Sequence, residues 1–250
     1  MMEFEGKAHY PIDLQRLPPT WTAAWVGDVC MSIQSGFACG AHNATGRGVP
    51  HLRPMNIDRL GRLDLSFVKY VRTSEDTRRL AAGDVLFNNT NSPVLVGKTC
   101  HISTASDLAF SNHMTRLRVA PGIDPKFLAR ELHYLWMSGF FLHRCLKHVN
   151  QASIASEVLA TSIPLVVAPT DAQARVVDAI DSYFSRLDEA EAALERVQRN
   201  LKRYRAAVLQ AAVEGRLVPT EAELARAEGR DYEPASELLK RIVAERCRTP

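Results

Sequence analysis

Residues 170–213 read TDAQARVVDAIDSYFSRLDEAEAALERVQRNLKRYRAAVLQAAV, a stretch without glycine or proline. At 1.5 Å per residue, one helix of that length is about 66 Å long. Ile180, Leu187, Leu194, Leu201 and Val208 recur every seventh residue, and Tyr183, Ala190, Val197, Tyr204 and Ala211 follow each by three. An apolar pair repeating every 3.5 residues through about four heptads predicts a coiled coil. Arg186, Asp188, Glu195, Arg199, Lys202 and Arg203 fill the remaining faces. A lone helix of this length cannot bury its stripe on a small domain, so it requires a partner helix. The second position of the repeat mixes small Ala with large Tyr. A uniform parallel zipper suits that poorly, whereas an antiparallel partner sets small against large. Thr170 and Gln173 match the S/T-x-x-E/Q capping box at the start. Gly215 stands where a helix-ending glycine belongs.

Outward from this helix the pattern changes. Downstream, Thr220 and Glu223 form a second capping box, and Pro234-Ala235 opens a third helix with Leu238, Leu239, Ile242 and Val243 on one face. Upstream, residues 17–168 read as mixed α/β. Short apolar runs at Val49–Ile57, Leu63–Val71, Asp84–Asn88, Val94–Ile102 and Met114–Val119 predict strands. Asp124-Pro125 opens a helix, with the aspartate as cap and the proline in the first turn. Residues 127–148 follow as one or two helices, and Ser162–Leu165 as a last extended segment ended by Pro169. The expected class is α+β: a mixed α/β domain over residues 1–169, a long helix over 170–215 and a helical segment over 216–250.

The composition is that of a globular protein, with 46% hydrophobic and 24% charged residues in 250. It excludes a disordered chain, a collagen and a disulfide-dense mini-protein. No apolar run is long enough to span a membrane. Residues 1–13 carry Glu3, Glu5 and Lys7 and no apolar core of a signal peptide, so a cytoplasmic location is expected. Five scattered cysteines without a C-x-x-C read as reduced structural thiols. Cys39 and His42 have ligand spacing, but nothing completes a metal site. Residues 1–169 carry 17 Lys and Arg against 13 Asp and Glu, and residues 170–250 carry 14 against 15. All eight histidines lie in the first part. The basic excess is confined there and points to a polyanion partner.

No catalytic motif emerges. Ser92-Pro93-Val94-Leu95-Val96-Gly97-Lys98-Thr99 departs from G-x-x-x-x-G-K-[ST] at its first residue, and the strand-like Cys100-His101-Ile102 follows where a phosphate loop needs a helix. A turn between strands is the expected role. G-x-G-x-x-G, H-E-x-x-H, G-x-S-x-G and the Asn/Asp-Pro-Pro-aromatic motif of amino-methyltransferases are missing. Asp13, Asp28, Asp58, Asp64 and Asp84 lack the nearby strand lysine of a magnesium-dependent nuclease and read as turn residues and caps.

Several segments, in order, resemble the specificity subunit of Type I restriction–modification systems. They are Leu17-Pro18-Pro19-Thr20-Trp21 with Val26-Gly27-Asp28-Val29, then Gly48–Ile57, then Gly83-Asp84-Val85-Leu86-Phe87-Asn88 with Val96-Gly97-Lys98. Gln151-Ala152-Ser153-Ile154, Ile163-Pro164-Leu165, Pro169 and Gln173 resemble the exit of a target-recognition domain into its helix. Residues 206–217 (AAVLQAAVEGRL) with Pro234–Leu239 are the most family-like stretch. The resemblance implies a non-catalytic subunit that reads one half of a split target in double-stranded DNA. It implies docking of modification (methyltransferase) subunits and, through them, restriction subunits. S-adenosylmethionine, ATP and magnesium then belong to the companion subunits, and this chain holds no cofactor. Family members carry two recognition domains and two long helices packed antiparallel. This chain has one of each, as a half-subunit forming a homodimer or as part of a longer protein. The alternative is a coiled-coil scaffold or adaptor whose first domain binds protein rather than DNA.

Phosphates are held by Lys, Arg and amides, and base edges are read by Arg, Lys, Asn, Gln, Ser and Thr. Three clusters fit that inventory. One is Arg47, His51, Arg53 and Asn56. The second is Asn88, Asn89, Thr90, Asn91, Ser92 and Lys98. The third is Asn112, His113 and Arg116, with Lys147, His148, Asn150 and Gln151 beside it. Each residue also has a plainer role open to it, since Asn and its neighbours favour turns. His133 and His143 fall on the helical pattern as packed or solvated residues. Ile180, Tyr183, Leu187, Leu194, Val197, Leu201, Tyr204 and Val208 are assigned to the coiled-coil seam. Arg199, Lys202, Arg203 and Arg205 form a solvated face.

Overall fold

The structure is a computed structural model that describes residues 10–72, 78–104, 107–149 and 151–247. It comprises two compact units, Met1–Ser182 and Tyr183–Pro250. Among the described residues the strands are β1 (Thr22–Trp25), β2 (Cys30–Ser35), β3 (Val49–Leu52), β4 (Lys69–Val71), β5 (Val85–Asn88), β6 (Thr90–Asn91), β7 (Thr99–His101), β8 (Ala109–Phe110), β9 (Met114–Val119), β10 (Leu146–Lys147), β11 (Ala152–Ser153) and β12 (Pro164–Val167). The helices are α1 (Pro125–Met137), α2 (Ser156–Ser162), α3 (Thr170–Val213), α4 (Glu221–Glu228) and α5 (Ala235–Arg246). The class is α+β, as the sequence implies.

The first unit is built around β5. Its side chains alternate between faces. Val85 and Phe87 join the core that holds Leu128, Leu132 and Leu135 of α1, and Leu86 joins Leu52, Ile57, Ile102, Phe110 and Met114 on the other face. Burial on both faces explains why this segment is an unbroken apolar run. The antiparallel order β2-β9-β5-β7 surrounds it. A second sheet, β4-β3-β8, contains the parallel pair β3·β8. A small antiparallel sheet, β10-β11-β6, joins segments about sixty residues apart in sequence. β1 pairs antiparallel with β12, so the start of the domain lies beside the strand that leads into α3.

Several elements are shorter than their sequence pattern. The run Val49–Ile57 leaves the strand after Leu52 because Pro54 opens a 3-10 turn, and of Leu63–Val71 only Lys69–Val71 is a strand. Ser92–Gly97 is a tight turn, and β7 begins only at Thr99. Gly97 has φ +102°, and a Cβ there would lie 2.2 Å from Phe141 Cδ2. Close ring packing is therefore the reason for this glycine in the phosphate-loop-like stretch. α1 starts as expected, with the Asp124 carboxylate accepting from Lys126 N at 2.7 Å and Phe127 N at 3.2 Å. It does not continue towards residue 148. Gly139 takes the left-handed conformation, a 3-10 turn follows at Phe140–His143, and β10 occupies Leu146–Lys147.

The capping box expected at Thr170 is not formed. α3 includes Thr170, and the Gln173 side chain is buried. Gln173 Oε1 accepts from Asp124 N at 2.7 Å, and its Nε2 donates to the carbonyls of Ala168 at 2.8 Å and Gly122 at 3.1 Å. One amide thus ties the root of α3 to the start of α1. At its far end Gly215, with φ +70°, allows Arg216 N to donate to Ala211 O at 2.7 Å, a Schellman closure.

In the second unit Thr220 and Glu223 make the second capping box, and Ala225 is buried. Tyr183, Leu187, Leu194, Val197, Leu201 and Tyr204 are between 46% and 67% exposed, while Ile180 and Val208 are half-buried. Leu238, Leu239, Ile242 and Val243 of α5 are also exposed. An apolar stripe of this length along one face is the pattern of a helix that packs against another.

Candidate nucleic-acid interface

The three clusters of sequence candidates divide by burial. His51, Asn56, Asn88, Asn89, Lys98 and Arg116 are buried, and each is engaged by the chain itself. Asn56 Oδ1 accepts from Arg53 N, and its Nδ2 donates to the carbonyls of Asp64 and Phe67, all at 2.9 Å. Asn88 Nδ2 donates to Leu95 O at 2.8 Å, closing the turn that follows β5. Asn89 Nδ2 donates to Thr115 Oγ1 at 2.8 Å and to Asn112 O at 3.2 Å. The Lys98 ammonium reaches the carbonyl of Ile57. Arg116 donates to Arg79 O at 2.8 Å and to the Gln34 side chain. His51 Nδ1 shares a hydrogen bond with His42 Nε2 at 3.1 Å, and burial with the charge of its neighbours pushes the His51 pKa down to about 4. A neutral, enclosed imidazole is not a phosphate contact. These six side chains are buried and bonded within the chain itself, where they hold loops and strands in place.

Five half-buried candidates and the exposed Gln151 come together. Arg53, Thr90, Asn91, Ser92, His113 and Gln151 line one open groove of about 390 Å³, with Pro54 and Met55 completing its wall. The fold explains the convergence. β6 pairs with β11, setting Asn91 opposite Ala152 and so beside Gln151. The parallel β3·β8 pair, extended by Ser111 N donating to Leu52 O at 2.9 Å, brings Arg53 towards His113. His113 O accepts from Asn89 N and Thr90 N at 3.1 and 3.3 Å. Asn91 Oδ1 accepts from Ser92 N at 2.8 Å, which orients its amide. Lys147 and His148 are exposed on the hairpin leading to Gln151, with His148 Nε2 paired to Ser153 Oγ at 3.2 Å. Asn112 is exposed next to His113, and Arg47 is exposed on a separate loop organised by Asn43. Asn150 lies outside the described residues. Residue type gave no signal for Pro54 and Met55, since an apolar wall carries no donor or acceptor to notice.

Amides, hydroxyls, an imidazole and a guanidinium around one open groove supply the donors and acceptors that read base edges and hold phosphates. Among the described residues no group of three His, Cys, Asp or Glu is arranged to hold a metal ion. No helix among them is long and apolar enough to cross a membrane.

Comparison with known proteins gives consistent relatives. No protein-family model matches the chain. The Type I restriction enzyme StySPI specificity subunit of Salmonella potsdam is 24% identical over 212 residues, covering 81% of this chain and 44% of that protein. Among solved structures, a chain from work on complex assembly and conformational transition of a type I R-M system superposes with a TM-score of 0.63 at 22% identity, covering 84% of this chain and 49% of that one. The HsdS subunit from Thermoanaerobacter tengcongensis gives a TM-score of 0.54 at 25% identity, covering 84% and 48%. The chain spans about half the length of the relatives it matches.

Proposed function

We propose, for a chain that is similar in sequence and fold to specificity subunits of Type I restriction–modification systems, the role of a DNA-reading half-subunit with no chemistry of its own. The groove carries this reading. Members of all three sequence clusters, Arg53 from the first, Thr90, Asn91 and Ser92 from the second, His113 and Gln151 from the third, share one surface. Asn91 and Gln151 are the base readers, because an amide pairs bidentately with adenine. Arg53, with Lys147, His148 and Arg47 further out, meets backbone phosphates. Asn56, Asn88, Asn89, Lys98 and Arg116 position the loops that carry them.

The partners follow from the same reading. Double-stranded DNA occupies the groove, and a modification subunit docks on the chain and brings the restriction subunit with it. S-adenosylmethionine, ATP and magnesium are bound by those companions. The exposed stripe of α3 pairs with a second copy, which supplies the second half of the site.

Binding of duplexes by the chain together with its methyltransferase subunit tests this across a salt series. Affinity is expected to fall steeply with salt, with a logarithmic slope of about −0.9 per phosphate contacted. Asn91→Ala and Gln151→Ala should each reduce discrimination at one base pair by about 1–3 kcal/mol while leaving non-specific affinity in place. A salt-insensitive complex with no preference among duplexes would instead favour a protein-binding scaffold.

A further inference from the structure

The 3-10 turn at Pro54–Asn56 brings an apolar side chain to a groove whose other walls are polar. On either side of the turn, Leu52 and Ile57 are wholly buried, whereas Met55 is 51% exposed. The turn itself is held firmly. The ring of Pro54 fixes φ at its first residue. The buried Asn56 amide ties the turn to Arg53 N, Asp64 O and Phe67 O, each at 2.9 Å. Ile57 N closes it by donating to Pro54 O at 3.4 Å. Arg53 Nη2 donates to Met55 Sδ at 3.3 Å, so the thioether is tethered through its weak acceptor sulfur. Met55 therefore stands on a backbone that is already ordered, which lowers the cost of binding.

Lone apolar side chains are common on protein surfaces, so the place of Met55 says more than its exposure. It lines the groove together with Asn91 and Gln151, the amides that the proposed function assigns to adenine. In the major groove an A·T pair presents N7 and N6–H₂ on adenine, and O4 and the C5-methyl group on thymine. An amide can satisfy the adenine edge. The methyl group has no hydrogen bond to offer and is read by apolar contact alone. Pro54 and Met55 are the groove's apolar side chains, and the unbranched, polarisable thioether adapts its shape to a small apolar group.

We propose that Met55, with Pro54 beside it, is a specificity-determining residue that reads the C5-methyl group of a thymine in the target. The inference deepens the DNA reading of this groove and rests on it. Cytosine carries hydrogen at C5, so the contact favours thymine over the other pyrimidine. Arg53 acts on the same residue as a tether, through Sδ, and leaves the terminal methyl of Met55 as the contacting group.

The test starts from duplexes selected out of a randomised pool by the full chain together with its methyltransferase subunit. Each thymine of the selected motif is then replaced, one at a time, by deoxyuridine, which lacks only the methyl group. At one thymine the affinity should fall about fourfold, the effect of one buried methyl group. Met55→Ala should bind the thymine and deoxyuridine duplexes equally, and Met55→Leu, similar in volume, should keep the preference. Met55→Gln, of the same length with a polar end, gives a second route to the loss if Met55→Ala fails to fold. Three results overturn the proposal: no thymine that responds, a response that persists in both Met55→Ala and Met55→Gln, or variants that weaken both duplexes alike and keep their ratio. The last would mean that Met55 serves only to steady Arg53. A motif that is selected but indifferent to deoxyuridine removes the methyl contact and leaves the DNA reading. A pool from which no motif emerges sinks the DNA reading, and the contact with it.

Discussion

Asn56 and Asn91 carry the same amide into different surroundings. All three hydrogen bonds of the Asn56 side chain end on the loop between Arg53 and Phe67. Asn56→Ala strands buried backbone groups and should cost about 2 kcal/mol, seen as a lower urea midpoint, with unchanged DNA discrimination in the protein that remains folded. Asn91→Ala at the half-exposed groove should move stability by no more than about 0.5 kcal/mol and act on discrimination alone. Exchanged phenotypes would exchange the roles. Glu131 offers a pH test. Its carboxyl accepts from Val166 N, and withdrawal from water raises its pKa to about 8 against the opposing effect of that bond and of Tyr10. The folded chain then holds a proton that the unfolded chain releases near pH 4.5. Its contribution is complete below that value and is lost as pH rises to about 8, with a slope of at most about 1.4 kcal/mol per pH unit. Denaturant melts across this window should show the decline, and Glu131→Gln should flatten it. Neither the burial of Asn56 nor the pKa of Glu131 is legible in the sequence, because residue type does not say which neighbours the sheet brings over it.

At the scale of the element, α3 is the part that the sequence describes best. Its length, its stripe and its Gly215 stop follow from periodicity and local chemistry. Its Thr170 cap does not, because the Gln173 amide bonds instead to Ala168 just ahead of the helix and to Gly122 and Asp124, about fifty residues away in sequence. The pairing proposed for α3 has one register that charge favours. With the twofold axis between Glu195 and Arg196, an antiparallel copy sets Leu194 against Val197, Leu187 against Tyr204 and Leu201 against Ala190. Asp188 and Glu189 then stand opposite Arg203 and Lys202, and Glu195 opposite Arg196. Shifting the chains by one heptad places Glu189 opposite Glu195 in one direction and Arg199 opposite its own copy in the other. In a background with Cys247 replaced by Ser, Ala190→Cys with Leu201→Cys should therefore form an interchain disulfide. A single Leu194→Cys would crosslink to itself only in a parallel pair. A monomeric mass together with no crosslink removes the paired reading.

At the scale of the whole molecule, a homodimer reads with two identical domains. Its target is then a split palindrome, since a twofold axis in the protein requires one in the site. Sequencing the methylome of a host that carries the chain and its methyltransferase should show a bipartite motif with inverted identical halves, and deletion of the chain should remove it. A motif with unlike halves would mean that a different recognition domain reads the second half.

α3 with its heptads, the start of α1 and the caps at Asp124 and Thr220 could be taken from the order of residues, because each rests on spacing and local chemistry along one stretch of chain. Which asparagines and cations face outward was decided only by tertiary structure. Asn91 meets Gln151 through strand pairing across about sixty residues, and Asn88, at the end of β5, is buried and bonded to Leu95 of the following turn. Burial is a property of what packs on a side chain, and those partners come from segments that no local pattern connects.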